Sequence, residues 1–216
     1  MWWLLPAAGG LLLTSLVLGV RLWQVLRRPC GHRPGSKGHV SLLVVAGSGG
    51  HTTEILRLLS SLSTSYSPTH YVIADTDQMS EKKIRSFENT KDKGSSHPLY
   101  SIHRIPRSRE VRQSWSSSLL TTLQSLLYSV PLTLRLKPDL ILCNGPGTCI
   151  PVCFSALLLG ILGLKKILIV YVESICRVES LSLSGKLLYH IADYFIVQWP
   201  PLKDKYPNSI YLGRIV

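Results

Sequence analysis

Apolar residues along this chain fall into two rhythms. One is a series of short, nearly continuous runs: Val40 to Ala46, His70 to Asp75, Tyr100 to Ile105, Pro138 to Asn144, Ile167 to Val172, Asp193 to Val197 and Ser209 to Leu212. Runs of that length, rich in Val, Ile, Leu and Tyr and bounded by turn residues, read as buried parallel strands. The other rhythm is helical. Ile55, Leu56, Leu58, Leu59 and Leu62 follow the first run, and a patterned segment from Met79 to Phe87 follows the second. Trp115, Leu119, Leu120, Leu123, Leu126, Leu127 and Val130 recur at helical spacing before the fourth run. Cys149 to Leu164, Leu183 to Ile191 and Pro200 to Tyr206 follow in turn. Strands alternating with helices predict an α/β fold, a doubly wound parallel sheet with right-handed crossovers. The 115–130 segment is expected to lay its leucines mostly on the core. It carries so few charges that a second, interfacial contact with a bilayer is open.

The N-terminus follows neither rhythm. Trp2 to Val20 carry no charge, and Leu22, Trp23, Val25 and Leu26 extend the run past Arg21. That is long enough to span a bilayer. No Lys or Arg precedes it, whereas Arg21, Arg27, Arg28, Arg33 and Lys37 follow, so the positive-inside rule puts the C-terminal side in the cytosol. A cleaved signal peptide is the alternative, but no basic segment precedes the apolar run. The expected organisation is a transmembrane anchor over 1–26, a basic Pro- and Gly-containing linker over 27–39, and a cytosolic domain over 40–216.

Candidate chemistry sits at strand ends. The first strand stops at Gly47-Ser48-Gly49-Gly50-His51, and Thr52, Thr53 and Glu54 open the helix. Strand, glycine turn and helix form an anion cradle, because the glycines admit a ligand close to the backbone and the first helical N–H groups point at it. Gly145-Pro146-Gly147-Thr148 is a second such turn, and Glu173 ends the fifth strand. In a doubly wound sheet these three should converge on one rim.

The 216 residues suffice for one domain plus an appendage, and the net charge of +12 favours anionic partners. Nucleic acid is the weakest of these, because the basic residues are scattered without an aromatic–basic module. Arg104, Arg107, Arg109 and Arg112 form one cluster, either a solvated face or a contact to lipid phosphates. Five cysteines without a C-x-x-C pair argue against a disulfide framework or zinc site and fit a reducing compartment. A dinucleotide-binding oxidoreductase is a rival reading, with Asp75 on the ribose. It lacks the sixth-position glycine, which is Thr52 here.

Val44-Val45-Ala46-Gly47-Ser48-Gly49-Gly50-His51-Thr52-Thr53-Glu54, Cys143-Asn144-Gly145-Pro146-Gly147-Thr148, Tyr171-Val172-Glu173-Ser174 and Tyr211-Leu212-Gly213-Arg214 together resemble the asparagine-linked glycosylation protein 14 family. That family is the membrane-anchor subunit of a UDP-N-acetylglucosamine transferase, and the resemblance runs over essentially the whole chain. It implies a Rossmann-like domain forming the N-terminal, acceptor-binding half of a GT-B glycosyltransferase at the endoplasmic reticulum membrane. A soluble donor-binding subunit, the asparagine-linked glycosylation protein 13 family, would bring UDP-GlcNAc. The pair would add the second GlcNAc to dolichyl-diphosphate-GlcNAc, and this chain would not act alone. It is similar in plan to the bacterial transferase that makes lipid II.

By the same resemblance Gly47, Gly49, Gly50, Thr52, Gly145, Gly147 and Thr148 would surround the acceptor diphosphate. His51 would be the base or a phosphate contact, and Glu173 would touch the acceptor sugar or assist as base. Leu212, Gly213, Arg214, Ile215 and Val216 would dock the partner, where a second GT-B domain would otherwise begin. No metal site or cofactor is expected. A pure scaffold that touches no substrate is the other rival.

Overall fold

The computed structural model describes residues 4–27, 38–91, 100–110 and 113–216, with side chains of the first helix described over 15–26. Most of the expected linker, Cys30 and Arg112 lie outside the described residues. Seven strands form one parallel sheet: β1 (Leu42–Val45), β2 (Thr69–Ala74), β3 (Tyr100–Ile105), β4 (Leu140–Asn144), β5 (Leu168–Val172), β6 (Tyr194–Val197) and β7 (Ile210–Tyr211). Their spatial order is β3-β2-β1-β4-β5-β6-β7. The order reverses between β1 and β4, so the crevice of this doubly wound sheet opens above those two strands.

Seven helices accompany them: α1 (Leu4–Arg27), α2 (Gly50–Ser60), α3 (Gln78–Lys91), α4 (Trp115–Leu136), α5 (Cys149–Ile161), α6 (Leu183–Leu188) and α7 (Pro200–Lys205). Alternation along β1 divides the core in two. Leu42, Val44 and Ala46 pack with Ile55 and Leu59 of α2 and Ile84 of α3. Leu43 and Val45 face the other way, with Val152, Ala156 and Leu159 of α5. Each β1 side chain is buried because helices cover both faces.

α4 reverses its expected orientation. Its buried residues are Ser118, Ser125, Ser129 and Thr133, one face at helical spacing. Thr133 Oγ1 pairs with Ser155 Oγ of α5 at 2.7 Å, while Ser129 and Thr133 return hydroxyls to carbonyls one turn back. Trp115, Leu119 and Leu127 are instead 68%, 71% and 67% exposed. Small hydroxylated side chains let two helices approach closely, and the backbone one turn back satisfies Ser129 and Thr133. The leucine stripe therefore faces out.

α1 meets the domain through α5: a Cβ on Gly160 would lie 3.1 Å from Val25 Cγ1. Leu16, Val17, Leu18 and Trp23 are exposed. Among the described residues no helix is long and apolar enough to cross a membrane. The anchor expected over 1–26 is therefore seen as a helix and not as an established span.

Candidate functional site

The strand C-termini open onto one cleft of about 910 Å³. Ala46, Ser48 and His51 around the first glycine turn and Gly145 to Thr148 of the second line it. A Cβ on Gly47 would lie 2.5 Å from both Cβ and Cγ of Pro146, so the first turn can rest on the second only with glycine there. Gly49, at φ +67°, is the residue before α2, and Gly145 adopts φ +70°. Both conformations are costly for a side chain. Gly49, Gly50 and Gly147 have open space where a Cβ would stand. His51, Gly145, Gly147 and Thr148 line the cleft.

Two residues expected at the ligand lie elsewhere. Thr52 is buried; its hydroxyl donates to the Gly47 carbonyl and lies 2.6 Å from Ser80 Oγ, so it holds the turn from behind. Ser80 N and Oγ donate to the two carboxyl oxygens of Asp77, the residue before α3. Glu173 is 0% exposed. Its Oε2 accepts from Ser182 N at 3.0 Å and Ser182 Oγ at 3.1 Å, and its Oε1 from Ser174 N at 3.2 Å. Burial pushes its carboxyl above the usual carboxylate range, against the pull of these donors and Arg177. The side chain turns under α6 instead of into the cleft, and so pins the segment between β5 and α6.

His51 is half-buried and lines the cleft. Its Nδ1 lies 3.2 Å from Asn144 Oδ1, at the end of β4. Asn144 Nδ2 donates to Glu54 Oε2 at 2.9 Å and to Val172 O at 3.4 Å. Ser174 Oγ donates to Glu54 Oε1 at 2.8 Å. Sequence reading saw Asn144 and Glu54 only as parts of motifs; only the fold brings them together.

Beyond the glycine turns, two walls of different character meet. Arg107, Ser108 and Arg109 come from the loop after β3, and Ser118 from the second turn of α4. The hydroxyls of Ser108 and Ser118 are buried and have no hydrogen-bond partner among the described residues. Arg107 Nε donates to Thr76 Oγ1 at 2.9 Å, and Arg109 stacks 4.4 Å over the Trp115 ring, so both guanidiniums are positioned. The other wall is apolar: Trp115, Leu119, Leu123, Phe154, Leu183 and Leu187. The arginine cluster and the leucine stripe were the sequence signals for these walls. On the far side of the first turn, Lys83 Nζ reaches Gly49 O at 3.3 Å and Thr53 Oγ1 at 3.0 Å.

The C-terminal segment folds back near this rim. Ile215 N and Val216 N donate to Gln198 Oε1, while Gln198 Nε2 donates to Glu173 O at 2.8 Å. Arg214 lies 5.1 Å over the Trp199 ring, and Leu212 is 63% exposed beside the edge strand β7. Among the described residues no group of His, Cys, Asp and Glu is arranged to hold a metal ion.

Residues 42–215 match the family model described as oligosaccharide biosynthesis protein Alg14 like. The chain is 64% identical to the rat UDP-N-acetylglucosamine transferase subunit ALG14 over 99% of its own length and 97% of the relative's. The human protein of that name is also 64% identical, over 98% and 97%. The one from the yeast Yarrowia lipolytica is 43% identical, over 81% of each chain. Among solved structures, Acinetobacter baumannii MurG superposes with a TM-score of 0.56 at 16% identity, over 82% of this chain and 44% of MurG. That likeness speaks to the fold.

Proposed function

The chain belongs to the Alg14-like family of oligosaccharide biosynthesis proteins, and from that premise we propose that it is the acceptor-binding subunit of a UDP-N-acetylglucosamine transferase. The acceptor is dolichyl-diphosphate-GlcNAc at the endoplasmic reticulum membrane. The observation that carries this reading is the continuity of the cleft. One cavity runs from His51 and the two glycine turns, past Arg107, Arg109 and the unpartnered Ser108 and Ser118 hydroxyls, to the apolar wall of α4, α5 and α6. A sugar, a diphosphate and a lipid ask for those three surfaces in sequence.

The diphosphate is held by the amides of the first turn at the start of α2, with Gly145, Gly147 and Thr148 as the opposite wall. The acceptor sugar hydroxyl attacks the anomeric carbon of the donor sugar, the bond to UDP breaks, and the hydroxyl proton passes to His51 Nε2. The donor is brought by a soluble partner of the asparagine-linked glycosylation protein 13 family, docked on Leu212 to Val216. The N-terminal helix anchors the chain with the domain in the cytosol. Exposed leucines on α1, α4 and α5 support a bilayer beside this layer of helices.

The test uses the full chain with its partner in vesicles. UDP-[¹⁴C]GlcNAc is supplied with a synthetic polyprenyl-diphosphate-GlcNAc. His51→Gln should abolish transfer while the partner still co-purifies. Retained transfer overturns His51 as base, and transfer by the isolated chain overturns the two-subunit reading.

A further inference from the structure

The chain of side chains behind His51 has a direction. Both carboxyl oxygens of Glu54 receive donors, Oε1 from Ser174 Oγ at 2.8 Å and Oε2 from Asn144 Nδ2 at 2.9 Å. A carboxylate only accepts, so the Asn144 amide must present its NH₂ to Glu54. The second acceptor at that NH₂, Val172 O at 3.4 Å, repeats the instruction. Turning the amide over would set its oxygen against two acceptors in a site where Asn144 is fully buried. Asn144 Oδ1 is thereby committed to His51, and at 3.2 Å from Nδ1 it accepts. The proton of the neutral imidazole is therefore on Nδ1, which leaves the lone pair on Nε2.

We propose that Glu54 is a positioning residue for the reaction: through the Asn144 amide it sets the tautomer and the plane of the His51 ring, so that Nε2 is the bare nitrogen. It touches no substrate. Its role is that of the groups that orient metal-bound or catalytic imidazoles, with an amide inserted between carboxylate and ring. The carboxylate lies on the helix that starts with the glycine turn. The geometry of the anion cradle and the proton placement on His51 are thus coupled through one α-helix. Ser174 extends the chain, since its hydroxyl serves Glu54 and its backbone N–H serves Glu173.

This inference rests on the reading of His51 as the base, and the experiment separates the two. Full chain labelled with [¹⁵N]histidine is prepared in nanodiscs with its partner, and the His51 ring nitrogens are assigned from the His51→Gln spectrum. At a pH where the ring is neutral, the wild type should show a protonated Nδ1 and a bare Nε2. Glu54→Gln retains an acceptor for Asn144, and should keep that signature with transfer within about 3-fold of wild type. Glu54→Leu should yield mixed tautomers and at least about a 10-fold loss in kcat with little change in acceptor KM. A protonated Nε2 in the wild type overturns the proposal without any variant. So does a Glu54→Leu protein that keeps both tautomer and kcat. Unaltered transfer by His51→Gln sinks the base assignment and with it the role of Glu54 in the reaction, and an intact wild-type tautomer then shows that the failure lies in the base assignment and not in the side-chain geometry.

Discussion

Gly145 lies directly against the imidazole of His51. A methyl group built on its Cα would come 2.6 Å from His51 Cε1 and 2.9 Å from Nδ1, and the backbone there is at φ +70°. The ring is thus held between a backbone face and the Asn144 amide. Gly145→Ala should displace it from both. The expected loss in kcat is about 100-fold, the scale of an ångström of misplacement at a reacting group. Transfer assays on the complex check this, and co-purification of the partner shows that the fold survives.

Gly185 bears the same relation to Glu173. A Cβ there would run into Glu173 Oε2 and lie 3.1 Å from Ser182 Oγ. Gly185→Ala should lower stability by about 1–3 kcal/mol, as overpacking does. Urea unfolding of the full chain in detergent measures it. Gly147→Ala, where a Cβ meets open space, is the control expected to leave the urea midpoint in place.

The outward leucines of α4 predict a lipid effect without a folding effect. Leu119 and Leu123 are exposed yet line the cleft. Leu119→Asp with Leu123→Asp should leave the unfolding midpoint near wild type. It should raise the KM for a long-chain acceptor about 10-fold or more, at about 1.5–3 kcal/mol per leucine buried by ligand. A short-chain, water-soluble acceptor should register little of this. Equal losses on both acceptors would argue against an isoprenoid on that wall.

Ser108 and Ser118 predict opposite signs for stability and binding. A buried hydroxyl without a partner costs about 1–3 kcal/mol, so Ser118→Ala should hold or raise the urea midpoint. If these hydroxyls meet the acceptor, the same change weakens acceptor binding several-fold. Acceptor titration of the complex decides it.

His70 and His103 give the stability a pH dependence. Ser101 Oγ bridges them, 2.7 Å from His70 Nδ1 and 2.8 Å from His103 Nε2. Burial holds both below the ordinary imidazole value of 6.5; His70 also feels His103, and His103 feels Arg135. The unfolded chain takes up protons first, so this contribution is present above pH 6.5 and is lost as pH falls below it. His70→Gln with His103→Gln should flatten the urea midpoint across that acidic range.

Element order, strand identity and the convergence of both glycine turns on one rim were legible in the residues, because burial imprints a local period and parallel strands must return through helices. The facing of α4 was not. A leucine stripe and a Ser/Thr stripe run along it with one period, and the choice between them lies with Ser155 on another helix. Thr52 and Glu173 had the right chemistry for a ligand, but the fold turned both inward to hold the turns that the glycines shape. Glu54 became a partner of Asn144 across 90 residues of sequence. Periodicity reports which way a segment faces relative to its own axis; which buried donor meets which buried acceptor is decided only when the sheet closes and water leaves, so that every polar group must find its partner.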